Sequence, residues 1–324
     1  DQSTLKKILC KQPYNNNLFK LTHLISAYHH FVSTGAIKED ALLYHSIRMK
    51  PMRTQSGVTP VSVLTKPFPC PGKCIFCPND VRMPKSYLSD EPGAQRAERN
   101  SFDPYLQTYN RLLAFRAIGH NVEKVELIIL GGTWSHYPVY YQIWFVKRCF
   151  DAMNDFPNTD RRNLVHTKNI FESLQFSETQ GKKRKSYNEI ITEVAGGNIK
   201  GFFQESEKAT WEELESAQKK NETAYSRSVG LVIETRPDSI NEKEVIKIRK
   251  LGATKVQIGI QSLDDKIMKL NKRGHTQAET IHAIKLLRLA GFKIHAHWMP
   301  NLYGATVESD ISDYKKLWTK EYSP

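Results

Sequence analysis

The chain has few cysteines, no long apolar run and fewer acidic than basic residues. Of its 324 residues five are cysteine, and Cys10 and Cys149 stand alone in the sequence. Thiols so few and so scattered do not form a disulfide framework, which predicts a reducing, cytoplasmic location. No apolar stretch approaches the roughly 18 residues of a membrane span, and no signal-peptide pattern opens the sequence, so we predict no membrane association.

The shortage of acidic residues gives the chain a formal net charge of +13, from 47 Lys and Arg against 34 Asp and Glu. A basic protein of this size suits polyanionic partners, and nucleic acid is the first candidate. Charge by itself does not decide the matter, because many basic proteins bind no polyanion. With 40% hydrophobic residues, the chain can build one large domain or two small ones, each with a core.

Three of the cysteines stand together. Cys70, Cys74 and Cys77 are spaced C-x3-C-x2-C in a loop rich in proline and glycine. A sharply turned loop can bring three thiolates to one place, which indicates a metal site. Zinc normally takes a fourth Cys or His ligand, and none lies nearby, whereas three thiolates on a [4Fe-4S] cluster leave one iron free for another ligand. A partly formed zinc site and buried free thiols remain as alternatives.

The rest of the chain alternates strands and helices. Residues 1–59 predict a basic helical segment, and from residue 60 onward five strand patterns are each followed by helical patterns. The strands are predicted at 61–65, 124–130, 229–234, 255–260 and 293–298, and the first long helix at 94–118. A polar insertion at about 154–222 interrupts them. The sequence therefore predicts an α/β fold, a partial parallel βα barrel over residues 60–324.

Polar and glycine residues follow these strands at their carboxyl ends, where βα barrels place their chemistry. The cysteine spacing is typical of radical S-adenosylmethionine (SAM) enzymes, in which SAM chelates the free iron of the cluster. The candidate SAM-binding residues are Gly131, Gly132, Thr133, Glu234, Arg236 and Gln261. Paired glycines let backbone approach a ligand, a glutamate can accept from ribose hydroxyls, and an arginine can bind a carboxylate. Lys66 and His297 are the candidate catalytic side chains.

Several motifs in combination resemble one family. They are Lys66-Pro67 with the three cysteines, and the segments 103–108, 119–120, 124–126, 131–133, 234–238, 258–262, 273–276 and 296–300. Over about residues 60–318 these resemble the radical SAM domain of the catalytic subunit of Elongator. The compact cysteine spacing is similar to that of bacterial or archaeal members. The family also carries a C-terminal acetyltransferase domain that this sequence does not reach, so we expect the chain to be part of a longer protein.

The resemblance implies a tRNA-modifying enzyme that uses SAM and acetyl-CoA to place a carboxymethyl group on carbon 5 of the wobble uridine. Reductive cleavage of SAM would give a 5′-deoxyadenosyl radical, which takes hydrogen from the acetyl methyl group; the resulting radical adds to uracil, and hydrolysis releases CoA. By position, the three cysteines would bind the cluster and Lys124 matches a lysine linked to acyl-CoA. Lys124 starts its strand, away from the reactive edge. A homodimer or an Elongator-like assembly is expected.

The resemblance also implies a binding partner for this basic chain, the anticodon stem-loop of tRNA. A single-stranded loop lets the target base splay into a pocket. The residues expected to contact nucleic acid are Lys6, Lys7, Arg48, Lys50, Arg53, Arg82, Lys85, Lys272 and Arg273.

Two other functions stay open. One is a different radical SAM enzyme, of the coproporphyrinogen-oxidase or methylthiotransferase type, which would not need to bind tRNA. The other is a non-catalytic RNA-binding module that keeps a cluster for structure, which would cleave no SAM. A protein-acetylating role has no support in these residues.

Overall fold

The structure is a computed structural model that describes residues 2–11, 13–14, 17–18, 20–158, 185–194 and 202–322. The N-terminal region is helical, as predicted, with a short antiparallel pair of strands between the first two helices. Its elements are α1 Gln2–Cys10, β1 Pro13–Tyr14, β2 Asn17–Leu18, α2 Leu21–Ser33, α3 Ala41–Ile47 and a 3-10 turn at Pro51–Thr54. A small core of Ile25, Tyr28 and Ile47 holds α2 and α3 together.

A five-stranded parallel sheet forms the centre of the molecule and confirms the predicted βα fold. Its strands are β3 Thr59–Leu64, β4 Lys124–Leu130, β5 Arg227–Thr235, β6 Lys255–Gln261 and β7 Lys293–Trp298. They lie side by side in chain order. Alternate residues of β3 and β4, such as Val61, Val63, Leu127 and Ile129, are fully buried. Because all five strands run the same way, their carboxyl ends meet at one edge of the sheet.

Helices cover the sheet and connect its strands. They are α4 Pro92–Arg99, α5 Pro104–Ala117, α6 Val139–Asp155, α7 Tyr187–Val194, α8 Trp211–Asn221, α9 Glu242–Lys250, α10 Asp265–Leu270, α11 Gln277–Leu289 and α12 Val307–Lys316. Helix α8 begins with the predicted capping box between Thr210 and Glu213. None of the helices that the structure describes could span a lipid bilayer.

The prediction of a single helix at 94–118 is wrong, because two helices, α4 and α5, occupy that stretch. Ser101 and Phe102 between them have φ angles of 51° and 55°, which no helix accommodates. Asp103 then caps α5 by accepting a hydrogen bond from the Leu106 amide at 3.0 Å. Pro104 follows at the first helical position, where its missing N–H costs nothing.

The polar insertion is described in part. Helices α7 and α8 belong to it, while residues 159–184 and 195–201 lie outside the described residues. Tyr187, Ile191, Phe202 and Phe203 join the main hydrophobic core. The predicted domain limits, 1–59 and 60–324 with the insertion at about 154–222, stay predictions.

Candidate functional site

A cavity at the carboxyl edge of the sheet gathers most of the predicted site. Residues from the cysteine loop, from the ends of β4, β5 and β6, and from the segment after α10 line it: Cys70, Cys74, Cys77, Gly131, Gly132, Thr133, Glu234, Arg236, Gln261 and Arg273. It measures about 70 Å³. A larger cavity of about 770 Å³ lies between β7 and α12, near Trp298 and Tyr314. Its lining holds no cysteine, so the donor chemistry favours the smaller cavity.

Each of the three thiols has its own polar neighbour. Cys70 Sγ lies 3.7 Å from Thr133 Oγ1, and Cys77 Sγ lies 3.5 Å from Ser86 Oγ. Cys74 Sγ is buried, 3.6 Å from Arg273 Nη1. Among the described residues no three Cys, His, Asp or Glu side chains converge on a single ion. Three thiols placed around a cavity fit the corners of an iron–sulfur cluster better than one zinc ion.

Charge around Cys74 favours the thiolate, the form that binds iron. A hydrogen bond from the Cys77 thiol, followed by the guanidinium groups of Arg273 and Arg236, lowers the pKa of Cys74 although burial opposes this. The same pairing with Cys74, together with burial, raises the pKa of Cys77. The pair therefore carries one readily formed thiolate next to two arginines.

The glycine pair after β4 is held by a hydrogen-bond network. Gly131 has a φ of 152°, and a Cβ at this position would overlap Thr65 Oγ1. Tyr137 accepts a hydrogen bond from the Thr65 hydroxyl and donates one to the Lys66 carbonyl, each at 2.8 Å. The backbone of β4 therefore turns directly behind the cysteine loop, at a position that only glycine fits.

Glu234, at the end of β5, is held by two side chains. Tyr87 Oη donates to Glu234 Oε2 at 3.1 Å, and His297 Nδ1 lies 3.5 Å from Glu234 Oε1. Burial, followed by the nearby Glu234 carboxylate, raises the pKa of Tyr87, which keeps its hydroxyl a donor. His297 is not in the cavity lining and reaches the site through Glu234. Its catalytic role stays a prediction.

Arg236, whose role in SAM binding stays a prediction, already has partners within the protein. It was expected to meet the carboxylate of a ligand, but its Nε and Nη2 already bind Asp238 at 2.8 and 2.7 Å. Burial opposes ionisation of Asp238, yet the hydrogen bonds and charge of Arg236 outweigh it and lower the pKa of Asp238. Only Nη1 turns to the cavity, 3.9 Å from Cys74 Sγ. Arg236 therefore stabilises the cysteine loop directly.

Gln261 ends β6 in a strained conformation. Its φ is 69°, and its side-chain Oε1 is buried without a hydrogen-bond partner in the structure as described. Strained residues with unpaired buried atoms are concentrated at functional sites, where a ligand supplies the partner. Gln261 Oε1 can therefore accept a hydrogen bond from a bound molecule.

Comparison with known proteins agrees with this geometry. Residues 205–314, which carry β5, β6 and β7 but not the cysteine loop, match the Radical SAM superfamily. The tRNA uridine(34) acetyltransferase of Methanocaldococcus infernus is 39% identical over 288 residues, which are 87% of this chain and 44% of that protein. The enzyme of the same name from Dehalococcoides mccartyi is 38% identical over 260 residues, 80% of this chain and 45% of that protein.

The solved structure of archaeal Methanocaldococcus infernus Elp3 with an N-terminal deletion aligns with 83% of this chain and 44% of its own, at 33% identity and a TM-score of 0.55. Human Elongator complex protein 3 is 28% identical over 289 residues, 86% of this chain and 43% of that protein. The chain carries a radical SAM domain and is similar to the Elongator complex protein 3 relatives. This confirms the resemblance seen in the motifs, and the chain spans less than half the length of these relatives.

Membership of the radical SAM superfamily implies SAM and a [4Fe-4S] cluster as cofactors. The donor set fits both groups. Cys70, Cys74 and Cys77 offer three thiols, the glycines at 131 and 132 line the same cavity, and the unpaired Gln261 Oε1 offers an acceptor beside them.

Lys66, predicted to be catalytic, and Lys124, predicted to contact acyl-CoA, both lie outside the cavity lining. Lys66 is buried, forms an ion pair with Glu207 and has its Nζ 4.6 Å from the centroid of the Phe203 ring. Burial lowers the pKa of Lys66, and Glu207 opposes the shift. Lys124 is exposed at the amino end of β4, as the sequence predicted. Their roles stay predictions.

The residues predicted to contact tRNA differ in their exposure. Lys7, Lys50, Arg53 and Lys272 are exposed; Arg48 and Arg82 are half-buried; the side chain of Lys6 lies outside the described residues. The structure corrects the prediction for Lys85 and Arg273, which are buried. Lys85 Nζ donates to Asn79 Oδ1 at 2.5 Å, and Arg273 Nη2 donates to the Gly259 carbonyl at 2.8 Å. Both side chains support the cavity and present no charge to a surface phosphate.

Sequence reasoning missed three site residues. Ser86 and Tyr87 could have been found, because they follow the cysteine loop closely and carry hydroxyl groups. Asn188, which binds the backbone of Cys70, lies in the polar insertion, where no pattern distinguishes it from its neighbours.

Proposed function

We propose that this chain is the radical SAM portion of an enzyme that uses SAM and acetyl-CoA to install a carboxymethyl group on carbon 5 of the wobble uridine of tRNA. The observation that carries the proposal is the placing of Cys70, Cys74 and Cys77 around one cavity at the carboxyl edge of the sheet. The name of the archaeal and bacterial relatives, tRNA uridine(34) acetyltransferase, supports the substrate and the acyl donor.

In this proposal the three cysteines hold the cluster, and Gly131, Gly132, Thr133, Glu234 and Gln261 hold SAM. When bound, the cluster and SAM would supply one-electron reductive cleavage of SAM. The chain's own residues position them. Arg236 and Arg273 stabilise negative charge at Cys74, and Tyr87 orients Glu234. Gly131 lets the chain after β4 pass closely against Thr65 at the edge of the cavity.

The macromolecular partner in the proposal is tRNA, bound through exposed basic residues. Lys7, Lys50, Arg53 and Lys272 are accessible, and the chain carries a net charge of +13. Phosphate neutralisation by such side chains provides sequence-independent affinity for nucleic acid. Acetyl-CoA binding near Lys124, a cytoplasmic location, and a homodimer or an Elongator-like assembly complete the proposal.

The decisive experiment is anaerobic reconstitution with iron and sulfide, followed by SAM and dithionite, with 5′-deoxyadenosine measured by mass spectrometry. Cys74→Ala should abolish the product, whereas Cys10→Ala, at an exposed cysteine far along the chain from the loop, should leave it unchanged. A chain that holds a cluster yet forms no 5′-deoxyadenosine would contradict a catalytic function and favour a structural cluster.

A second arm tests the substrate. Addition of tRNA and acetyl-CoA should increase 5′-deoxyadenosine formation and yield a modified uridine. If SAM is cleaved but no binding of tRNA is detected, the chain belongs to a radical SAM enzyme with another substrate.

A further inference from the structure

The polar insertion binds the cysteine loop at one of its three cysteines. The Cys70 amide donates to Asn188 Oδ1 at 3.0 Å, and Asn188 Nδ2 donates to the Cys70 carbonyl at 2.8 Å. The side-chain amide of Asn188 thereby satisfies both backbone groups of Cys70, as a neighbouring strand would. Asn188 lies in α7, 118 positions away in the sequence.

The residue before Asn188 binds the far side of the same loop. Tyr187 is buried, and its Oη donates to the Met83 carbonyl at 2.8 Å. Lys85 Nζ lies 4.8 Å from the centroid of the Tyr187 ring. Two consecutive residues of α7 therefore hold the chain before Cys74 and after Cys77.

The second described part of the insertion holds the start of the loop. The rings of Phe202 and Phe203 lie 5.2 and 5.3 Å from that of Phe68, measured between centroids. Glu207 forms its ion pair with Lys66. All of these contacts fall between residues 66 and 85, on either side of the cysteines.

The loop needs such support because it has little backbone structure of its own. Residues 65–79 contain no helix or strand. A thiolate ligand is oriented by its own backbone, and groups behind the ligands set the geometry and affinity of metal sites. Without Asn188, both polar backbone groups of Cys70 would lose their protein partners.

We propose that Asn188 is a positioning residue for Cys70 and that α7 holds the cysteine loop in the geometry that binds the cluster. This inference rests on the cluster site of the proposed function. It assigns to the insertion a role in cofactor retention.

Iron retention tests the proposal with variants of one residue. Asn188→Ala removes both hydrogen bonds, while Asn188→Asp keeps an acceptor for the Cys70 amide and loses the donor to its carbonyl. Glu193→Ala changes an exposed residue of the same helix and is the matched control. After anaerobic reconstitution, we expect Asn188→Ala to lose iron to a chelator about 10–100-fold faster than the wild type, with Asn188→Asp between them. The reduced cluster's electron paramagnetic resonance spectrum should change in the same order.

Hydrogen–deuterium exchange of the metal-free proteins separates local positioning from global stability. Asn188→Ala should speed exchange in peptides from residues 66–85 and leave β4, β5 and β6 unchanged. Equal iron loss and equal spectra in all four proteins would overturn the proposal, and so would faster exchange throughout the sheet. If the wild type bound no cluster, the cofactor premise of the proposed function would fail, while the exchange measurement would still decide whether α7 holds the loop.

Discussion

Gly131 and Gly132 illustrate how differently two adjacent glycines can be constrained. Gly131 combines a φ of 152° with a Cβ direction blocked by Thr65 Oγ1. Gly132 has no such φ, and a Cβ there would lie 3.6 Å from Tyr137 Oη, an ordinary contact distance. Only the first position requires glycine.

We therefore expect Gly131→Ala to lower the free energy of unfolding by at least about 1–3 kcal/mol, because the alanine is strained and displaces Thr65. The measurement is urea denaturation followed by circular dichroism. Gly132→Ala is the control and should change stability by less than about 1 kcal/mol. Equal effects of the two substitutions would contradict the steric explanation.

His275 makes stability depend on pH. It is buried beside Arg273, its Nε2 lies 3.2 Å from the Ile260 carbonyl, and burial followed by the charge of Arg273 lowers its pKa to about 3. In the unfolded chain a histidine has a pKa of about 6.5, so below that pH the unfolded chain binds a proton that His275 does not bind in the folded protein. Stability should therefore fall as pH drops below about 6.5.

The expected loss from His275 between about pH 7 and about pH 5 is about 2 kcal/mol. His275→Gln should remove this part of the pH dependence, measured as the change in urea midpoint across that range. His282→Gln, at an exposed position of α11, should leave it intact. An unchanged slope in His275→Gln would show that His275 does not stay neutral in the folded protein.

At the scale of elements, the insertion and the start of the cysteine loop are joined by a buried ion pair, Lys66 with Glu207. Both side chains are nearly inaccessible, at 11% and 8% exposure. A buried charge that loses its partner is costly, whereas replacing both partners by apolar groups often is not.

Glu207→Ala should consequently destabilise the protein by about 3–5 kcal/mol in urea denaturation. The double variant Lys66→Met, Glu207→Leu should recover most of that loss. Glu205→Ala removes an exposed partner of Lys208 in the same segment and should cost less than about 1 kcal/mol. If the double variant were as unstable as Glu207→Ala, charge burial would not be the cause of the lost stability. SAM cleavage by the double variant would separately test the predicted catalytic role of Lys66.

At the scale of the whole molecule, the net charge of +13 predicts that the proposed binding of an anticodon stem-loop weakens as salt concentration rises. Each phosphate neutralised contributes to the slope of log affinity against log salt concentration. Arg53→Gln should weaken binding and reduce that slope by about one. Lys219→Gln on α8 makes the same change in net charge at another exposed position and should leave the slope unaltered. Equal slopes for Arg53→Gln and the wild type would exclude Arg53 from the interface.

Much of the fold is determined by local sequence. The five strands, the capping box of α8 and the C-x3-C-x2-C loop depend on hydrophobic period, side-chain type and spacing over short stretches, which sequence displays directly. The break at Ser101 and Phe102 escaped prediction, because apolar residues continue at helical spacing across backbone that is not helical. The sequence also predicted that the cysteines, the glycine pair and Glu234 lie at one edge of the sheet, because the carboxyl ends of parallel strands meet there.

Tertiary structure alone decided which side chains meet. Asn188 binds Cys70, which lies 118 positions away in the sequence, and Glu207 binds Lys66, which lies 141 positions away. No local pattern encodes pairs so distant. The same holds for Lys85 and Arg273, whose charge suggested a surface role until packing placed them inside. A sequence shows which groups are available, whereas burial and hydrogen-bond geometry arise only when separate segments pack together, because each depends on neighbours that the local chain does not contain.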